Sequence, residues 1–71
     1  MNEDRLVEAI VRQAAMDWQH AARAEKRARQ NGYDVTSFVR VEVETFFRSS
    51  WFDDLTGLDG NEIIRQMEGM I

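Results

Sequence analysis

Asp53, Asp54, Asp59, Asn61 and Glu62 gather around Gly57 and Gly60, and oxygen-bearing side chains beside turn glycines are the raw material of a calcium loop. The spacing does not fit one. With Gly57 or Gly60 at the sixth position of an EF-hand loop, the first ligand would be Phe52 or Leu55, where an acidic oxygen is required. Helix capping accounts for the same residues. Asp59 reads as an N-cap with Glu62 three residues on, and Leu58 and Ile63 flank it as a hydrophobic staple. His20 follows Asp17 by three residues, a general-base pair only if a nucleophile stood beside it. The chain has no cysteine and no serine in a nucleophile motif, and a lone histidine cannot anchor a zinc centre. No metal, no cofactor and no enzymatic activity are expected.

Two other sets of side chains could bind a macromolecule. Arg5, Arg12, Arg23, Lys26 and Arg27 project from one side of a helical pattern, opposite Val7, Ala14 and Trp18. Of these, Arg12, Arg23, Lys26 and Arg27 could track phosphates or an acidic protein surface. Glu8 interrupts the stripe, and matching to the helix dipole explains its C-terminal cluster equally well. The second set is aromatic, with four of the chain's seven aromatics lying between Phe46 and Phe52. Phe46, Phe47 and Trp18 are expected in the core. Phe38, Val41, Trp51 and Phe52 are candidates for a partner-facing strip, because a contiguous apolar patch is seldom left bare on a monomer.

The elements that must position these groups are helical. From Glu3 to Asn31 there is neither Gly nor Pro, and apolar residues recur every three or four positions from Val7 to Ala28. Asn31-Gly32 supplies a left-handed stop. Between Phe38 and Thr45, Val39, Val41 and Val43 alternate with Arg40, Glu42 and Glu44, which is the strand period. A helical stripe of Val35, Val39, Val43, Phe46 and Phe47 coexists with it, and a lone strand would have no partner, so helix is preferred. A second helix is thus expected over roughly 36–55, with a break or kink near Ser49-Ser50 and a cap spacing beginning at Ser50. A third should run from about Gly60 to Glu68 with Ile63, Ile64 and Met67 buried.

The 71 residues suffice for one domain, 1–71, in a size range where the core is barely sufficient. The expected architecture is all-α, a small three-helix bundle or helical hairpin with a long first helix. Its C-terminal helix would close the end near Val7 and Ile10, with Phe46 opposite Trp18 and Ala22. The polar opening Met1-Asn2-Glu3-Asp4-Arg5 and the lack of any long apolar run argue against a signal peptide or membrane span and for the cytoplasm. The net charge of −4 is uneven. Residues 1–31 carry six Lys/Arg against five Asp/Glu, while residues 32–71 carry three against eight. Whole-surface binding to nucleic acid is therefore disfavoured, although a local basic stripe remains open.

Residues 46–64, Phe-Phe-Arg-Ser-Ser-Trp-Phe-Asp-Asp-Leu-Thr-Gly-Leu-Asp-Gly-Asn-Glu-Ile-Ile, resemble the C-terminal signature of small helical proteins encoded in phages and prophages of Gram-positive gut bacteria. Ile10-Val11-Arg12-Gln13-Ala14 is similar as well. The resemblance implies no catalytic residue and suggests an accessory protein of the host cytoplasm that regulates or inhibits a host or phage protein by binding it. A nucleic-acid-binding module using the basic face is the alternative, and a homodimer is compatible with either.

Overall fold

The computed structural model describes residues 3–71, with side chains from Arg5 onward. Met1 and Asn2, and the side chains of Glu3 and Asp4, lie outside that part. Four helices follow one another, α1 (Glu3–Gln30), α2 (Phe38–Arg48), α3 (Ser50–Thr56) and α4 (Gly60–Gly69), with no strand among the described residues. The valine-alternating segment is helical because its apolar stripe finds a partner in α1, whereas an isolated strand would leave its ladder unpaired. The 28 residues of α1 span about 42 Å and set the long dimension of the molecule, 46 Å.

Most of the described helix ends are closed by a short-range device visible in the residue types. Gly32 is left-handed at φ 85°, and the Tyr33 and Gly32 amides donate to Ala28 and Arg29 carbonyls at 2.9 and 3.1 Å, forming a Schellman cap on α1. Ser37 caps α2, its hydroxyl accepting from the Arg40 amide. Gly57 ends α3 at φ 68°, and Asp59 caps α4 by accepting from the Asn61 and Glu62 amides at 3.1 and 3.4 Å. Ile63 packs against the core, while Leu58 is half exposed and faces Val7 and Val11 across a cleft.

The expected single helix over 36–55 is two helices, so the chain has four where the sequence predicts three. Ser49 makes the break, with an extended backbone at ψ 150°. Its hydroxyl donates to the Phe46 carbonyl at 2.7 Å and accepts from the Phe52 amide at 3.1 Å, so one side chain closes α2 and opens α3. The cap is thus Ser49 rather than Ser50. The break has a packing reason. Phe47 and Phe52 would point about 140° apart on a continuous helix, yet their rings meet edge to face at 5.1 Å, and both are buried with Trp18, Ala22, Ile64 and Met67.

One expected placement is refined and another changes. Trp18 meets Glu44 and Glu25 meets Arg40, which sets α1 and α2 antiparallel. Phe46 is half-buried, packing against the core that holds Trp18 and Ala22 while also lining a surface with Ile10 and Ala14. Helix α4 does not close the Val7–Ile10 end. Its C-terminal end lies by Lys26, whose Nζ donates to the Ile71 carbonyl at 2.8 Å, and the segment from Leu55 to Leu58 faces Val7 and Val11 instead.

Candidate functional site

Five charged and polar side chains form a network between α1 and α2 that composition alone does not reveal. Glu25 is 5% exposed and accepts from Arg40 Nε at 2.7 Å and from the Ser37 amide. Arg40 reaches Glu44 at 2.5 Å through its other arm, and Glu44 accepts from the Trp18 indole N–H at 2.8 Å and lies 3.4 Å from Arg48. No buried side-chain nitrogen or oxygen among the described residues lacks a partner, so the network fixes register without an unsatisfied group. Its signal was present in the sequence. Glu25 is an acid among four basic residues near a helix C-terminus, where the dipole disfavours it, and a buried indole N–H needs an acceptor.

Burial works against the Glu44 charge, but hydrogen bonds from Trp18 and Arg40 and the charges of Arg40 and Arg48 outweigh it and hold the carboxylate below its ordinary value of 4.5. Burial likewise opposes the Arg40 charge, and the two carboxylates raise it nonetheless. With a depressed folded-state value, the stabilisation from Glu44 is complete above the unfolded value and is lost as pH falls through the folded one. Denaturant midpoints are therefore expected to fall as pH drops below about 4.5, and Glu44→Gln should flatten that limb of the curve. An unchanged acid limb in the variant would show that Glu44 is not responsible.

The candidate binding residues are dispersed. Arg12 is paired with Glu8 at 2.6 Å on the exposed side of α1, so a carboxylate interrupts the stripe there. Arg23, Lys26 and Arg27 stay together further along, lining a shallow cleft with His20 and Met70. His20 is exposed, and Asp17 accepts from Gln13 at 2.9 Å rather than from the histidine. Phe38, 74% exposed, and the exposed Val41 lie on the side of α2 away from the core. Trp51 is 56% exposed with its ring 5.5 Å from that of Phe46. Phe52 is 0% exposed and cannot belong to a partner-facing strip, because the break at Ser49 turns it inward.

A different surface emerges on the side of the α1–α2 pair that α3 and α4 leave bare. Ile10 and Ala14 of α1 and Val43 and Phe46 of α2 form a groove of about 470 Å³, with Asp17 and Glu42 on its lining. The stripe of Val39, Val43, Phe46 and Phe47 is too wide for one contact. Phe47 takes the core, and Val43 and Phe46 are shared with the groove. No group of three His, Cys, Asp or Glu residues that could hold a metal occurs among the described residues. No described helix is long and apolar enough to cross a membrane. Comparison with protein-family models, with curated proteins and with solved structures finds no match.

Proposed function

We propose that this chain is a small non-enzymatic accessory protein, of the phage-related kind its C-terminal signature resembles, that acts in the host cytoplasm by binding another protein. The observation that carries this reading is the bare apolar groove of Ile10, Ala14, Val43 and Phe46. Apolar side chains left together on one open face gain from being covered by a partner. The rival reading, nucleic-acid binding, rests on Arg23, Lys26 and Arg27 with Arg29, all exposed at one end of α1. It is weakened by the pairing of Arg12 with Glu8, which shortens the phosphate-tracking stripe.

Wild type, Ile10→Glu and Arg23→Glu/Arg27→Glu, used side by side as baits in cells that carry the gene, separate the two. Ile10 is 37% exposed, so its substitution spares the core, which circular dichroism checks. A protein retained by wild type and by the arginine variant but lost from Ile10→Glu is the expected result. Loss from the arginine variant alone, with salt-sensitive binding to DNA or RNA at micromolar protein, would transfer the function to nucleic acid.

A further inference from the structure

We propose that the α1–α2 groove receives one amphipathic α-helix of a protein partner, with Lys or Arg at the end that meets Asp17 and Glu42. The inference rests on the groove being the binding surface and names what fills it. From Ala9 to Asp17 the groove follows α1 for about 12 Å, two helical turns. Ala9 and Ala14 leave its α1 wall shallow enough for a helix to approach closely.

The opposite side of the same helix pair shows the fit. There α4 inserts Ile64 and Met67 among Trp18, Ala22 and Phe47, a spacing of three residues along one helix face. A second helix with that pattern matches the bare side.

Charge sets the polarity. Along α1 the lining runs from Ala9 and Ile10 through Ala14 to Asp17. Antiparallel α2 supplies Phe46, Val43 and then Glu42, so both carboxylates come last, at the same end. Neither is ion-paired among the described residues, and no Lys or Arg lines the groove. A basic end on the occupant compensates both charges. A second copy of this chain does not, because groove-to-groove pairing by a two-fold axis sets the carboxylates against each other or against an apolar end.

The test is selection from a displayed library of random peptides long enough for about four helical turns, followed by calorimetric titration of the enriched peptides. Enriched sequences are expected to carry apolar residues at i, i+3 or i+4, and i+7, with Lys or Arg at one end. Ile10→Glu should abolish their binding, and Asp17→Asn/Glu42→Gln should weaken it about tenfold. Peptides that lose binding in Ile10→Glu but lack the helical spacing or the basic end, or ignore the charge-neutral variant, overturn this inference and leave the groove reading standing. Peptides indifferent to Ile10→Glu, or no enrichment at all, overturn both. A dimer by light scattering that Ile10→Glu dissociates makes a second copy the occupant and overturns the helix of foreign origin.

Discussion

Phe52→Ala is expected to remove about 3–5 kcal/mol of folding stability, among the largest losses from a single side-chain truncation in the chain. Phe52 is 0% exposed, and its ring meets those of Phe46 at 5.3 Å and Phe47 at 5.1 Å, both nearly perpendicular. Such edge-to-face pairs add to the burial energy. The seven-residue helix α3 is far too short to persist alone, so Phe52 is what holds it to the rest. A domain of this size has roughly 4–10 kcal/mol in total, so the variant should lose about a third of its stability or more. Trp51→Ala, one residue away but on the exposed side, should cost about 1 kcal/mol or less. A urea melt of each variant checks the pair. Similar small losses at both positions, or the larger loss at Trp51, would mean that α3 presents its other face to the core.

Gly60→Ala is expected to destabilise by about 2–3 kcal/mol, the upper part of the range for overpacking, through a backbone collision rather than a turn requirement. A Cβ at this position would stand 1.7 Å from the Phe47 carbonyl oxygen and 2.6 Å from its carbon. Neither atom belongs to a flexible side-chain tip, so α4 and α2 must move apart and disturb Ile64 and Met67, which share the core with Phe47. Gly69 supplies the control, since nothing lies within 4 Å of its Cβ position. Gly69→Ala should be neutral or stabilise the last turn of α4 by up to about 1 kcal/mol. Equal melting midpoints for Gly60→Ala and wild type would place the start of α4 away from Phe47.

The helices were legible where a local rule was strong. The long gap without Gly or Pro, the Asn31-Gly32 stop and the Asp59 cap each depend on residues within one turn of one another, and each stands in the structure at its expected place. What was not legible depended on the third dimension. A break or kink was expected near Ser49-Ser50, but the cap spacing pointed to Ser50 rather than Ser49, because either serine can cap. The choice is made by Phe47 and Phe52 needing the same side. The polar network that joins α1 to α2 requires Glu25, Arg40, Glu44 and Trp18 to find one another. Their sequence positions allow that match but do not demand it. Gly60 read as an ordinary first residue of a capped helix, although a cap does not require glycine there, and its closeness to Phe47 depends on packing between two helices.

The binding surface was the least legible part for the same reason. Phe38, Val41, Trp51 and Phe52 form one strip only if α2 and α3 are continuous. Once Ser49 breaks them, Phe52 joins the core and the others face different directions. The groove of Ile10, Ala14, Val43 and Phe46 draws on two helices distant in sequence, so neither helix shows it separately. Arg23, Lys26 and Arg27 line one cleft, as their spacing suggests, while Arg12 stands further along α1 beside Glu8.

That the groove between α1 and α2 is where this protein meets its partner can be tested without knowing the partner. A photo-crosslinking amino acid is placed at Ala9 on the groove, at Arg27 in the basic cluster or at Phe38 on the outer side of α2, and cells producing each variant are irradiated. The expected result is one protein adduct formed from Ala9 and none from the other two. An adduct from Arg27 or Phe38 with none from Ala9 would contradict it.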